Sequence, residues 1–387
     1  MNLPSFQYTD AFEARSAVVL GGGSTDARIP ATEQQPPKKT KRIAGIDMAR
    51  GIAMAGMVVV HFVAWREGEG APFTAAELLN GRAMPLFMLL GGIGVTFMTR
   101  RSATPTRNLL IRAAMLMVMG LVLTEYVDRL AIVLQAYALF FALAVVLWRL
   151  PSKVLLAMVP IVVAIGSFTY QTVGRPAALT PFDTLFTGQG IESLIFDGFY
   201  PLFPVGAFFI FGIWLGRLDL GSDRIASILL SVGVTLGIGI RVVSDWFVST
   251  FGLQVDFGGR AGDGNFHLTR LLDAEGHSSM PAWTLSALGT SAAVLGLSLL
   301  IARRFPKMVR PLVVVGSMSL TFYVFQAWVT NLVPSTRETG VFLEWGFATG
   351  VYVVFTLFAL VWVMKFRTGP LERVLRLGSG PKKPLPA

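Results

Sequence analysis

A chain of 387 residues that is 53% hydrophobic and only 14% charged has too little polar surface to cover its apolar side chains as a water-soluble globule does, which points to an integral membrane protein. It contains no cysteine, which excludes disulfide frameworks, thiolate nucleophiles and cysteine-held metals. The formal net charge of +10 raises nucleic acid as a partner, but no basic-aromatic recognition motif accompanies it, and the placement of the lysines and arginines explains the charge in another way.

Residues 1–42 are polar and mixed in charge, with "EQQPPKKTKR" immediately before the first apolar run, and are expected to form a disordered cytoplasmic tail. The short run "SAVVLGGG" follows Asp10 and Glu13 and lacks a basic leader, which argues against a signal peptide. Beyond the tail, stretches at 43–65, 82–99, 110–127, 130–148, 153–170, 199–216, 225–242, 282–302, 311–333 and 341–364 are each apolar enough to be candidate spans, predicting an all-α polytopic membrane protein of about ten helices. A membrane domain over 43–376 and a cytoplasmic C-terminal tail over 377–387 complete the expected organisation.

Most lysines and arginines cluster on alternate connections, at 38–42, 100–112, 149–153, 217–224, 303–310 and 365–383, whereas the opposite side holds only Arg66, Arg82, Arg129, Arg175, Arg241, Arg260, Arg270 and Arg337. Retained loops carry the positive excess, so both termini are expected in the cytoplasm. Glycines Gly91, Gly92 and Gly94, Gly212 with Gly216, and Gly233 with Gly237 are placed for close helix packing. The glycines lack the flanking strand or lysine of a dinucleotide or phosphate loop.

The first stretch, "IDMARGIAMAGMVVVHFVAW", carries Asp47, Arg50 and His61 among apolar neighbours. Arg50 and His61 are eleven residues apart, which on a helix separates them by about 20° in azimuth and about 16 Å in depth, so they share one face. Asp47 precedes Arg50 by three residues and can form an ion pair that lowers the cost of a guanidinium at the membrane boundary. A fixed cation at one end and an imidazole towards the other suit a transmembrane relay. The plainer alternative is an arginine reaching the headgroups and a histidine bonded to a neighbouring helix.

On the outer side, Asp197 and Tyr200 precede the sixth stretch, where they could orient a ligand or simply cap a helix. The loop "HLTRLLDAEGHSSM" carries His267, Asp273, Glu275 and His277, in a spacing that fits no compact metal motif, so no metal is expected. Its "GHSSM" lacks the last glycine of a serine-nucleophile elbow. Tyr323 and Gln326 could serve a substrate path or an interhelical hydrogen bond.

The arginine-x10-histidine tract resembles the first helix of transmembrane acyltransferases, and "RIAGIDMARGIAMAGMVVVHF" resembles heparan-alpha-glucosaminide N-acetyltransferase-like and DUF418-like bacterial membrane proteins. "PLFMLLGGIGVTFMTRR" and "FDGFYPLFPVGAFFIFGIWLGRL" are similar to further helices of that family, and "GSMSLTFYVFQAWV" and "GPLERVLR" are similar to DUF418-type C-terminal elements. The resemblance runs from about residue 42 to 376 and implies transfer of an acyl group, typically acetyl from acetyl-CoA, to a hydroxyl or amine of an extracytoplasmic saccharide or related acceptor. It implies His61 as the catalytic histidine and Arg50 as a donor-side residue, with Arg100, Arg101 and Arg107 converging on the donor entrance and Asp47 orienting Arg50. Asp197, Tyr200, Asp273, Glu275, His277, Tyr323 and Gln326 are the acceptor-side candidates. The loop "AWREGEGAPFTAAELLNG" contains no histidine, where the heparan-type enzymes have theirs, so the role of His61 rests on the acyltransferase pattern. The competing expectation is a transporter that moves a small solute or proton along the same track.

Overall fold

The computed structural model describes residues 42–63, 76, 78–127, 129–173, 195, 200–255, 264–333 and 340–377. The chain divides after Lys41, and the expected tail at the N-terminus lies outside the described residues, as does the expected C-terminal tail beyond 377. The helices are α1 (Ala44–Phe62), α2 (Ala83–Arg101), α3 (Pro105–Tyr126), α4 (Leu134–Leu147), α5 (Ser152–Thr172), α6 (Leu202–Leu215), α7 (Asp223–Phe251), α8 (Pro281–Arg304), α9 (Arg310–Ser317), α10 (Ser319–Leu332), α11 (Val341–Phe366) and α12 (Pro370–Leu377). No β-strand occurs among the described residues. An all-helical architecture is what hydrocarbon demands, because each backbone N–H and C=O must be paired within its own segment.

Each apolar stretch read from the sequence forms helix, but not every one is a full span. Among the described residues seven helices, α1, α2, α3, α5, α7, α8 and α11, are long and apolar enough to cross a membrane, and α9 with α10 raises the number to eight if the bent pair is one span. Helices α4 and α6 have 14 residues each, about 21 Å of rise against a hydrocarbon core of about 30 Å. The ninth candidate span, 311–333, is not one continuous helix: α9 and α10 meet at 81°. Met318 leaves helical geometry there (φ −121°, ψ 31°), and Gly316 lies so close to α1 that α9 must follow that helix's surface.

Pairwise approaches fix the direction of each element. Gly94 faces Arg50 and Gly56 faces Ala83, so α1 and α2 are antiparallel; Gly45 meets Leu299, which puts the end of α8 beside the start of α1. Gly212 packs on Leu89, and Gly216 packs on Ile93 and Thr96, so α6 runs parallel to α2. Arg42, Arg100, Arg217 and Arg303 therefore gather at one end of the bundle, the arrangement that charge asymmetry between alternate connections requires. At the other end Gly81 meets Gly276, and the Asn331 amide donates to the Tyr126 carbonyl at 2.7 Å.

The glycine seams are close backbone contacts. A Cβ on Gly92 would come 2.1 Å from the Phe209 carbonyl oxygen, and one on Gly233 would come 2.4 Å from the Ala293 nitrogen. In lipid, where burying apolar surface between helices gains little, such approach gives the dispersion contacts that hold helices together. Short hydroxyl bonds across the seams add to it: Thr96 donates to the Ile213 carbonyl at 2.8 Å and Ser286 to that of Gly237 at 2.7 Å. Outward faces of α7 and α11 expose Ile238, Val242, Leu357 and Val361, as a lipid-facing surface should.

The tightest seam joins α1 to α9, where a Cβ on Gly316 would sit 1.7 Å from the Asp47 carbonyl oxygen. Replacing Gly316 by alanine is expected to separate the two helices and cost on the order of 1–3 kcal/mol, read as a lower melting temperature of the detergent-solubilised protein. Gly239 has nothing within 4 Å of the same position, so Gly239→Ala should leave melting unchanged or slightly raised.

Candidate active site

Asp47 sits in the first turn of α1 and is only 2% exposed. Its carboxylate accepts from the Arg50 guanidinium at 3.1 Å and from one Arg42 nitrogen at 2.9 Å, while a second Arg42 nitrogen pairs with its other oxygen. A carboxylate at a helix N-terminus also faces the positive end of the macrodipole. Bidentate pairing with Arg42 and monodentate pairing with Arg50 fix two guanidiniums at one place and leave much of the Arg50 fork free to bond elsewhere.

Arg50 opens into a cavity of about 250 Å³ formed by α1, α2, α3, α4, α9, α10 and α12. Arg42, Arg112 and Arg376 share its wall with Arg50, alongside the phenols of Tyr137 and Tyr323. Glycines in α2 make the room: a Cβ on Gly94 would lie 3.5 Å from an Arg50 nitrogen, and one on Gly91 would lie 2.8 Å from the Tyr137 ring. The Tyr323 hydroxyl accepts the Val133 backbone N–H at 3.0 Å, which leaves its own proton for another acceptor.

Glu372 also lines the cavity, but its carboxylate is engaged at the start of α10. It accepts the backbone N–H groups of Leu320 and Thr321 at 2.8 and 3.1 Å and the Thr321 hydroxyl at 2.6 Å. Glu372 thus caps the helix that begins at the 81° bend and docks α12 against it, bringing Arg376 to the wall. Four guanidiniums face two carboxylates, each already bonded. Such a surplus, in a partly enclosed space with tyrosine hydroxyls, is chemistry for holding an anion.

Of the residues read from the sequence, Asp47, Arg50 and Tyr323 are brought together here. His61 lies farther along α1 and does not line the cavity; Met57, one turn before it, does. The imidazole is half-buried. Arg100, Arg101 and Arg107 do not join Arg50. Arg100 donates to the Arg217 carbonyl at 3.3 Å, Arg101 lies over the Phe97 ring at 6.0 Å, and Arg107 lines a separate groove beside α3.

Gln326 is fully buried one turn beyond Tyr323, outside the cavity lining. Tyr200 packs half-buried against the core, and Asp197 lies outside the described residues. Asp273, Glu275 and His277 build a tight turn. One Asp273 side-chain oxygen accepts the Glu275 N–H at 2.8 Å, its backbone carbonyl accepts that of Trp283 at 3.2 Å, and the His277 ring stacks on Trp283. Gly276 and His277 pack against Gly81 at the far end of the bundle from Arg42. Among the described residues no group of three or more metal-ligating side chains comes together.

Sequence reading missed Arg42, Arg112, Arg376, Tyr137 and Glu372. Arg112 carried a usable signal, since it falls inside the third apolar stretch as Arg50 does inside the first, and an intramembrane cation marks function by default. Arg376 had none, because only the tertiary docking of α12 brings it to the wall. Asp47→Ala should leave two guanidiniums facing each other without a counter-ion and release Arg50 from its place. The expected loss is on the order of 1–3 kcal/mol, allowing for the partial exposure of Arg42, and Asp47→Asn, which keeps the shape but not the charge, should recover only part of it in thermal unfolding.

Comparison with protein families divides the chain in two. Residues 42–231 match the family described as heparan-alpha-glucosaminide N-acetyltransferase, catalytic, and residues 268–380 match the protein of unknown function DUF418. A search of curated proteins finds none that matches the chain. Both matched regions build the cavity: Arg50, Arg112 and Tyr137 come from the first, Tyr323, Glu372 and Arg376 from the second. The activity class suggested by the first match is acetyl transfer in a membrane. With seven helices apolar enough to span among the described residues and these two matches in order, the chain is a multi-pass membrane protein similar to the heparan-alpha-glucosaminide N-acetyltransferase catalytic family over 42–231 and to DUF418 over 268–380.

Proposed function

We propose that the protein transfers an acetyl group from cytoplasmic acetyl-CoA to a hydroxyl or amine of an extracytoplasmic saccharide or related acceptor. The observation that carries this reading is the cationic cavity at Arg50, built partly from the region matched to a catalytic family. In this reading both termini and the arginine-rich end are cytoplasmic, and α4 and α6 complete a ten-helix membrane domain. The donor brings an acetyl thioester and anionic phosphates, and the wall of the cavity suits that charge. Arg50, Arg112 and Arg376 hold the phosphates, Asp47 keeps Arg50 in place, and the Tyr137 and Tyr323 hydroxyls are placed to donate hydrogen bonds within the same space.

His61 is assigned the proton of the attacking acceptor. Met57 carries the lining of the cavity to within one helical turn, about 6 Å, of His61 on the same helix. A neutral imidazole there can accept the proton as the acceptor attacks, and a route through an acetylated imidazole uses the same position. The acceptor approaches from the end of the bundle where Gly81 meets Gly276. Solute transport along this track has no observation in its favour.

Purified protein in lipid nanodiscs, supplied with acetyl-labelled acetyl-CoA and envelope glycan fractions, is expected to label an acceptor. Arg112→Gln should raise the KM for acetyl-CoA by about tenfold or more with a smaller change in kcat, as loss of a charged contact to bound donor does. His61→Ala should lower kcat by about 100-fold or more at unchanged donor KM. Full turnover in His61→Ala would remove the proposed base, and wild-type donor KM in both Arg50→Gln and Arg112→Gln would remove the donor site.

A further inference from the structure

A second cationic site lies at the same end of the bundle as Arg42, around Trp148. On one side of the indole is a cavity of about 230 Å³ walled by Arg100, Arg217, Thr96 and Thr99; on the other is an open groove of about 730 Å³ beside Arg107, Arg149 and the start of α3. Among the described residues neither wall contains a carboxylate. Elsewhere at this end the arginines that have acids within reach use them, as Arg42 and Arg50 do with Asp47 and Arg303 does with Asp223.

Arg217 instead donates to the Ser152 hydroxyl and the Trp148 carbonyl, each at 3.0 Å, and Arg149 to the Thr106 hydroxyl at 2.8 Å. These neutral partners fix the guanidiniums without neutralising them. Burial, and then the charge of Arg100, pull the Arg217 guanidinium below its ordinary pKa. Two further donors are buried here without a partner among the described residues, the Trp148 indole N–H and the Thr104 hydroxyl. Topological charge bias asks only for exposed lysine and arginine; it does not ask for buried donors between them.

The groove turns apolar in one direction. Past Arg107 it is lined by Leu110 and Ile111, where α3 enters its membrane-spanning run, and Leu110 is exposed. A charged head at the interface and a hydrocarbon strip descending from it describe an amphiphile. We propose that Trp148 and the surrounding arginines form a binding site for an anionic phospholipid, its phosphate held by Arg107 and Arg149 in the groove, an acyl chain lying along Leu110 and Ile111, and Arg100 and Arg217 adding positive charge behind Trp148. The strip distinguishes this ligand from a free phosphate or nucleotide, which would have no use for it.

The test uses full-length protein, delipidated in a neutral detergent, with melting temperature read during titration. Phosphatidylglycerol is expected to raise the melting temperature saturably, and phosphatidylcholine and inorganic phosphate are not; coenzyme A, which stabilises through the Arg50 cavity, should leave the phosphatidylglycerol increment unchanged. Arg107→Gln/Arg149→Gln, both on the exposed side of the groove, should weaken the phosphatidylglycerol response by about tenfold or more, and Trp148→Phe, which keeps an aromatic ring but removes the indole N–H and part of the wall, should weaken it. Should Arg100→Gln/Arg217→Gln fail to fold, those two variants still decide the matter. Equal stabilisation by phosphatidylcholine, displacement of phosphatidylglycerol by coenzyme A or inorganic phosphate, or an unchanged response in both variants would overturn the proposal. Acetyl transfer by the Arg50 cavity is read separately, so neither outcome depends on the other.

Discussion

The arrangement depends on one buried carboxylate. Asp47 accepts from Arg42 and Arg50 in the first turn of α1, at the point where Gly316 brings α9 against its backbone. Two guanidiniums at a membrane boundary repel each other and resist desolvation; a shared anion at hydrogen-bonding distance makes their juxtaposition tolerable. Because the carboxylate is bonded to both, it lowers the local charge without removing it, and the cavity keeps a cationic wall. Glycine does the complementary steric work, since only the absence of side chains at Gly91 and Gly94 leaves room for Tyr137 and Arg50 beside α2.

The 81° bend between α9 and α10 serves the same place. A straight helix through Met318 would leave no free helix start near α1, whereas the bend presents the first N–H groups of α10 at the cavity, where Glu372 caps them. That cap draws the short α12 onto the bundle and carries Arg376 with it. One acid therefore satisfies a helix terminus and positions a cation. The two family-matched regions meet here, so the cavity belongs to the whole membrane domain and not to either region alone.

Much of the fold was legible because membrane helices are written in long apolar runs and small-residue seams. The pairing of Gly92 with Gly212 and of Gly233 with α8 follows directly from glycines whose first explanation was packing. Asp47 and Arg50 were legible as an i, i+3 pair, and their ion pair is present at 3.1 Å. The bend was not read from the sequence, since "VVVGSMSLTF" contains no proline and lies within a long apolar run, although its Gly316–Ser317 pair is a kink signal. The short lengths of α4 and α6 were also hidden, because hydropathy reports apolar residues and not where helical geometry stops.

The arginines show the limit most clearly. Those at 100, 101 and 107 stand together in sequence and suggested one cluster with Arg50, yet the turn between α2 and α3 disperses them: Arg100 to the Arg217 carbonyl, Arg101 to the Phe97 ring, Arg107 to the groove at Trp148. Arg112 and Arg376, far apart in sequence, come to Arg50 instead. The most direct test of a donor site in that cavity exploits a chain without cysteine. With Ser319, which lines the cavity, replaced as Ser319→Cys, the rate of maleimide labelling should fall several-fold when acetyl-CoA is added and stay unchanged with acetate. Labelling at the same rate with and without acetyl-CoA, in protein that still turns over, would contradict the account.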